Sequence, residues 1–295
     1  AGGGDVGMAD HELVLSVVIP AHNEESNIGP TVIELDDALR KEAVPFELVI
    51  VNDNSTDGTE RALGDLMAQV GEFRVINRRP PAGFGRAVRS ALEHLNGDVV
   101  AIYMADQSDD PADLIRCYQR IEEGYDCAFG SRFIKGSAVE NYPWFKLIVN
   151  RIVNRTIQVM FWTRHNDLTN AFKVYRTHVV RECGPYKSSH FNLTIEMSLS
   201  ALIRRYSIAS VPINWYGRTS GVSKLKVTEM GRRYLVVLLH MFFERILIGD
   251  DLMAERLSHR LTKNQQSTSL ERRITELEKR LDGRSTPPDG DSGDG

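Results

Sequence analysis

Short apolar runs alternate with longer amphipathic stretches along the first half of the chain. Leu13 to Pro20 (LVLSVVIP) reads as a buried strand, and a helical pattern follows from Asn27 to Lys41. Phe46 to Val51 (FELVIV) is a second strand, ending in the turn-rich run Asn52-Asp53-Asn54-Ser55-Thr56-Asp57-Gly58 before a helix through Met67. A short strand at Phe73 to Asn77, a Gly83-Phe84-Gly85 turn and a helix from Arg86 to Leu95 come next. Val99 to Met104 then forms a strand, Pro111 starts a helix through Glu123, and Tyr125 to Gly130 is another strand. Strand and helix in alternation with short connections predict an α/β fold, with a mostly parallel sheet covered by helices on both faces.

Three of these strands end in polar, acidic sequence. The first runs into Pro20-Ala21-His22-Asn23-Glu24-Glu25, the second into Asn52-Asp53-Asn54-Ser55, and the fourth into Met104-Ala105-Asp106-Gln107-Ser108-Asp109-Asp110. In a parallel sheet all three ends fall on one edge, the edge where open α/β sheets bind ligands. A nucleotide whose diphosphate is held through a hard cation accounts for the acids together, with Asp106 at the lip of its strand as cation ligand. Asp109 or Asp110 serves equally well as the cap of the helix that starts at Pro111. The Gly83-Phe84-Gly85 run matches neither a Walker loop nor the dinucleotide-binding glycine pattern and reads as a tight turn.

Composition narrows the classes without choosing among them. At 295 residues, 42% hydrophobic and 26% charged, the chain is long enough for one large α/β domain or two small ones. Its net charge of -4 argues against nucleic acid as a general partner. Cys117, Cys127 and Cys183 have no paired spacing, which suggests reduced thiols in the cytoplasm, and Ala1 to Gly7 shows no signal-peptide pattern. His94, His178 and His240 stand apart with no ligand spacing. Tyr142, Trp144, Phe145, Phe161 and Trp162 lie on an apolar helix pair between Pro143 and Thr163; lining an acceptor groove is one reading, and core packing is the favoured expectation.

Six segments occur in a telling order: VVIPAHNEESNI, VNDNSTDGT, MADQSDDP, Gly-Ser-Arg-Phe at 130–133, Asp-Leu-Thr-Asn-Ala-Phe at 167–172, and Arg-Thr-Ser-Gly-Val-Ser-Lys at 218–224. Together they resemble the family 2 glycosyltransferases of GT-A fold, nearest to the dolichyl- or polyprenyl-phosphate mannosyltransferase group. The resemblance implies that Pro20, His22, Glu24, Val51 and Asp53 hold the nucleotide, with His22 standing where a Tyr is usual. The family's Asp-x-Asp motif falls on Met104, Ala105 and Asp106, so Asp106 becomes the implied ligand for Mg2+ or Mn2+ and the diphosphate. Met104 replaces the first acid of that motif. Arg132, Arg218 and Lys224 match basic residues that contact donor and acceptor phosphates. An Arg fork and a Lys point charge both suit phosphate oxygens.

The reaction implied is inverting transfer of a hexose from a nucleotide-sugar donor to a polyprenyl phosphate. GDP-mannose is the favoured donor and a UDP-sugar the next. A lipid phosphate is already ionised near neutral pH, so positioning and charge stabilisation would carry catalysis. A hydroxyl acceptor would need a base, for which Asp167 and Glu196 are the candidates. Their plainer readings are a turn cap before a strand from Leu168 to Tyr175 and a partly buried helix residue. The alternatives are a UDP-sugar enzyme with a non-lipid acceptor (protein, glycan or modified base) and an inactive binding relative.

Beyond residue 223 the pattern changes. Lys224 to Ile248 sets Lys224, Lys226, Arg232 and Arg233 ahead of an apolar run broken by His240, Glu244 and Arg245. About eleven apolar residues at roughly -0.5 kcal/mol each are cancelled by interior charges at roughly +2.5 to +3.5 kcal/mol apiece. An amphipathic helix lying on a membrane surface, or packed on a partner, fits better than a span. Leu270, Ile274, Leu277 and Leu281 follow a coiled-coil spacing, which predicts either self-association through these C-terminal helices or a solvated helix. The expected organisation is a flexible N-terminus over 1–12, the glycosyltransferase domain over 13–223, and the amphipathic helix over 224–250. A helical, short coiled-coil segment over 251–282 and a disordered tail over 283–295 complete it. The expected location is cytoplasmic and peripheral at the membrane.

Overall fold

A computed structural model describes residues 12–70, 73–216 and 231–249. Strand β1 (Leu15–Ala21) is buried along its whole length, as the run LSVVIPA requires of a strand covered on both faces. Helix α1 (Ile28–Lys41), β2 (Phe46–Asp53), α2 (Thr59–Val70), β3 (Arg74–Arg78), α3 (Phe84–Leu92), β4 (Val99–Ile102), α4 (Pro111–Glu122) and β5 (Cys127–Ser131) follow. Then come β6 (Val139–Glu140), α5 (Trp144–Phe161), β7 (Lys173–Arg176), α6 (Thr177–Cys183), α7 (Leu193–Ile203), β8 (Ile208–Pro212) and β9 (Trp215–Tyr216). A further helix, α8, occupies 231–249. Its residues up to Phe243 belong to one compact unit with the elements before it, and residues from Glu244 onward belong to a second unit.

The main sheet has seven strands in the order β3-β2-β1-β4-β7-β5-β8, and β6 pairs separately with β9. β1 pairs in parallel with β2 and β4, β2 with β3, and β5 with β8. α1 packs beside α2 and α4, and α3 lies against β1, β2 and α7, so both faces are covered. The core between them includes Val17, Ile19, Leu35, Leu39, Ile50, Leu114 and Ile121, all fully buried.

Three expectations need correcting. β7 runs antiparallel to both β4 and β5, and it begins at Lys173 rather than Leu168. That reversal matters for the site, because the turn before β7 falls on the same sheet edge as the ends of β4 and β5. The helix pair expected between Pro143 and Thr163 is a single helix. Its aromatic residues are mostly not core: Phe161 is buried, but Trp144, Phe145 and Trp162 are exposed. The coiled-coil seam and the tail lie outside the described residues, as do Arg218 and Lys224.

Candidate active site

β1 and β2 deliver the first cluster. Pro20 and Val51 are neighbours in the strand register, which sets His22 and Asp53 side by side two residues beyond. The His22 Nδ1 lies 2.7 Å from the Asp53 carbonyl, a contact that orients the ring across the two strand ends. The Asp53 carboxylate is itself engaged. Oδ2 accepts from the Gly83 N–H at 2.6 Å, and Oδ1 accepts from Asn54 at 3.0 Å and from the Arg78 guanidinium. Glu24 accepts from Asn27 at 2.8 Å, and its own N–H donates to the Thr59 hydroxyl at 2.9 Å, tying the β1 loop to α2.

The Gly83-Phe84-Gly85 turn has a packing role. A Cβ on Gly83 would meet the Ser189 carbonyl at 2.4 Å, and one on Gly85 would meet the Ser188 carbonyl at 2.5 Å. Phe84 stacks on Phe191 with centroids 4.3 Å apart. Only glycine lets the two backbones come this close. The far side of that contact is fastened by Glu196, whose oxygens accept from the Lys187 N–H at 2.7 Å and the Ser188 N–H at 2.8 Å.

The fourth strand builds the second cluster. After β4 the chain passes through Met104 and Ala105 to Asp106, whose Oδ1 accepts from the Ser108 N–H at 3.2 Å across Gln107. Gln107 takes a left-handed conformation with φ 59°. Asn23 and Asn54, in the loops after β1 and β2, do the same at φ 56°. A long side chain such as Gln is uncommon there, and such backbone concentrates where a loop is held for a ligand. Asp109 reaches back so that its Oδ2 accepts from the Met104 N–H at 2.9 Å, beside the position where the motif lacks its first acid. Burial pushes the Asp109 carboxyl up to about 8; the Met104 N–H opposes the shift, the Asp106 charge adds to it, and the Arg132 charge opposes it. Asp110, by contrast, caps α4 by accepting from the Ala112 N–H at 2.8 Å, so one of the two acids read as caps is that cap.

Opposite these acids, β5 ends at Ser131 and hands on Arg132. Asp167 takes the guanidinium as a fork, with Nε to Oδ2 and Nη2 to Oδ1 both at 2.8 Å, and Oδ2 also accepts from the Arg132 N–H at 3.0 Å. Arg132 also lies over the rings of Phe133 and Tyr142, at 5.3 and 5.6 Å. Burial works against its charge, but the Asp167 carboxylate and the Tyr142 hydroxyl together outweigh burial and leave the pKa above the usual arginine value. The turn carrying Asp167 is pinned from two sides. The Asn154 Oδ1 of α5 accepts from the Leu168 N–H at 2.8 Å, and the buried Lys173 Nζ donates to the Leu168 carbonyl at 2.9 Å and to the Asn170 carbonyl. Burial brings Lys173 down to about 7; the Asp167 charge opposes this and the Arg132 charge adds to it.

The structure therefore gathers Pro20, His22, Val51 and Asp53 at one part of the edge, and Met104, Ala105, Asp106, Arg132 and Asp167 at another. Glu196 belongs to the loop behind the glycine turn. Every oxygen of Asp167 and Glu196 accepts from a protein donor, which suits them to positioning rather than to the base role considered from sequence. Sequence reasoning missed Arg78, Asn154 and Lys173. Arg78 carries no signal, whereas Asn150 and Asn154, spaced four apart in an apolar helix, and a Lys flanked by Phe172 and Val174 both hinted at buried polar work.

A divalent cation fits this edge in a limited way. Among the described residues no three His, Cys, Asp or Glu side chains gather into a cage. Asp106 at the lip supplies one hard carboxylate oxygen donor, and Mg2+ commonly takes only one or two carboxylates and completes its shell with substrate phosphates and water.

Known proteins resemble this chain in sequence and in fold. The polyprenol monophosphomannose synthase of Mycolicibacterium smegmatis is 28% identical over 233 residues, covering 74% of this chain and 86% of its own. The dolichol-phosphate mannosyltransferase of Pyrococcus furiosus is 29% identical over 233 residues, covering 77% of this chain; the match spans only 62% of that longer protein. In fold, the chain resembles glucosyl-3-phosphoglycerate synthase from Mycobacterium tuberculosis. The complex with Mn2+, UDP and glucosyl-3-phosphoglycerate has a TM-score of 0.59 at 18% identity, covering 78% of this chain and 80% of that one. The complex with Mg2+ and UDP has a TM-score of 0.59 at 20% identity, covering 78% and 79%. This is the GT-A architecture. Acids gathered at three parallel strand ends, facing an arginine at the end of β5 that the turn before the reversed strand holds, thus follow a recognised sequence pattern: residues 16–184 match the model for glycosyl transferase family 2, and the chain belongs to that family.

Proposed function

We propose that this glycosyltransferase moves a hexose, mannose favoured, from a nucleotide-sugar donor to a polyprenyl or dolichyl phosphate with inversion at the sugar carbon. The observation that carries the reading is the state of the carboxylates. Those that could serve as bases, Asp167 and Glu196, are committed to protein donors. An acceptor that arrives ionised needs no base, and a phosphate monoester does so near neutral pH. Likeness to two polyprenol- and dolichol-phosphate mannosyl enzymes over about three-quarters of the chain supports the same acceptor class.

On this reading Pro20, His22, Glu24, Val51 and Asp53 hold the nucleotide. Asp106 would hold Mg2+ or Mn2+, which, when bound, neutralises the diphosphate and eases its departure. Arg132 adds a fixed positive charge to the edge, held rigid by Asp167, so little reorganisation is needed as charge develops on the leaving group. An acceptor phosphate oxygen attacks the sugar carbon in line, the bond to the diphosphate oxygen breaks, and the nucleoside diphosphate leaves with that electron pair. Arg218 and Lys224 would contact the donor and acceptor phosphates.

The acceptor reading also calls for a location at the membrane periphery. No helix among the described residues is long and apolar enough to cross a bilayer. α8 instead exposes Leu235, Val236, Leu239 and Phe243 while burying Val237, Leu238 and Met241, the asymmetry of a surface-lying helix. Liposome flotation of the full chain with anionic lipid tests this, and charge reversal by Lys224→Glu with Arg232→Glu should weaken it. Turnover decides the chemistry. Release of nucleoside diphosphate from GDP-mannose should require a polyprenyl phosphate and a divalent cation, and the corresponding polyprenol should be inert. Equal turnover of the alcohol would overturn the proposal. A UDP-sugar with a soluble acceptor is the second reading, favoured by the fold likeness to an enzyme solved with UDP and glucosyl-3-phosphoglycerate.

A further inference from the structure

Helix α5 is apolar on the side that faces out. At 100° per residue, Trp144, Phe145, Ile148, Ile152 and Val159 fall within an arc of roughly 100°, and all five are exposed. Trp162, the residue that ends the helix, is 87% exposed and Trp144 is 75% exposed. The buried residues Asn154, Ile157 and Phe161 lie on the opposite side. An outward apolar row of this length on a soluble surface marks a contact surface.

The charges say what kind. Between Trp144 and Arg164 the chain carries Lys146, Arg151, Arg155 and Arg164 and no Asp or Glu. We propose that the outward face of α5 docks on an anionic lipid bilayer, with Trp144, Ile148, Ile152 and Trp162 entering the head-group region and the basic side chains meeting lipid phosphates. Trp at the ends of an apolar row and long cationic side chains beside it are the residue types that suit such an interface. A second copy of the chain is a poor occupant, since pairing α5 on itself would set four cations against four with no carboxylate between them.

The inner face gives the docking a consequence. Asn150 donates to the Thr169 hydroxyl at 2.9 Å, and Asn154 accepts from Leu168, so α5 itself holds the turn that presents Asp167 to Arg132. A bilayer on the outer face would therefore lie about one helix diameter, ~10 Å, from that turn. α8 touches the same helix, with Phe242 edge-on to Phe161 at 6.5 Å. The inference deepens the lipid-phosphate reading by assigning a surface that brings the acceptor's head group to the Arg132 edge, and it rests on that reading only for this last step.

The experiment uses the full chain and vesicles of phosphatidylcholine with and without phosphatidylglycerol, at low and high salt. The parent should float with the anionic vesicles, and its tryptophan emission should shift to the blue and be quenched by brominated lipid. Trp144→Ser combined with Ile148→Ser and Trp162→Ser should lower partitioning by about tenfold or more. Lys146→Glu with Arg155→Glu should remove chiefly the salt-sensitive part, roughly fivefold for each positive charge lost. Trp144, Ile148, Arg155 and Trp162 are exposed, so melting temperatures of the serine variant and of Arg155→Glu alone should hold. Variants that float like the parent, or a parent that ignores anionic vesicles at low salt, would overturn the proposal. So would a parent dimer in lipid-free sedimentation that the serine variant dissolves. A short-chain, water-soluble prenyl phosphate separates the two readings. Kept turnover of that acceptor by variants that no longer float supports docking, whereas a parent that floats but does not turn it over counts against the transfer reading alone.

Discussion

Removing Asp167 should be among the costliest single changes in the protein. Its carboxylate and the Arg132 guanidinium form a two-point pair at 2.8 Å with both side chains buried, and the same carboxylate accepts from the Arg132 backbone. Taking away one partner of a buried pair leaves an uncompensated charge, at about 3–5 kcal/mol. The lost backbone hydrogen bond adds roughly 0.5–1.5 kcal/mol. The nearby Lys173 ammonium makes matters worse, since Asp167 is the anion that offsets both cations. Asp167→Ala should therefore lower the unfolding free energy by about 4 kcal/mol in urea titrations. Arg132→Met alone strands the opposite charge, yet the double variant Arg132→Met with Asp167→Leu should recover much of the loss, because two apolar side chains replace two desolvated charges. Single-variant losses below about 1 kcal/mol, or a double variant as unstable as the sum of the two, would refute the reasoning. Kinetics give a second reading. Asp167→Asn should reduce turnover without removing the acidic limb of the pH–rate profile, because a positioning carboxylate moves kcat whereas a base also moves the limb.

The other predictions are more local. Asp106→Asn should abolish most turnover and the cation-dependent part of nucleotide affinity, measured by titration with and without Mn2+; unchanged cation dependence would move the ligand to Asp109. Arg218→Ala and Lys224→Ala should cost activity more than melting temperature, and equal losses of both would make that segment structural. Lys173 has a pKa brought down to about 7, chiefly by burial, below its usual value. The unfolded chain therefore binds more protons than the folded one from about pH 7 up to the usual lysine range near 10.4, and this group's contribution to stability rises with pH across that window and is flat below it. Lys173→Met should remove the rise, so the gap in urea midpoint between variant and parent should change from pH 7 to pH 9. A constant gap would place the lysine pKa outside that window.

Much of the fold is legible in the chain because its signals are local. LSVVIPA and FELVIVND are apolar at strand length, and α1 begins and ends within a residue of its periodic pattern. Parallel order then puts three acidic strand ends on one edge, which is why Asp53 and Asp106 could be singled out without coordinates. Asp110 as the cap before Pro111 is equally local. What sequence could not decide is what depends on pairing across long separations. The antiparallel placement of β7 sets Lys173 opposite Phe129 and brings Asp167 to Arg132 over 35 residues, and no short pattern encodes that register. Arg78 reaching Asp53, and Asp109 turning back to the Met104 N–H, are of the same kind. The aromatic residues of α5 show the limit most clearly. A helix with Trp, Phe and Ile on one side and Asn on the other has two candidate inner faces by hydropathy alone. Only the tertiary structure decided between them, because the Leu168 and Thr169 N–H groups and the Thr169 hydroxyl needed hydrogen-bonding partners in the interior, and Asn154 and Asn150 could supply them where Trp144 and Ile148 could not.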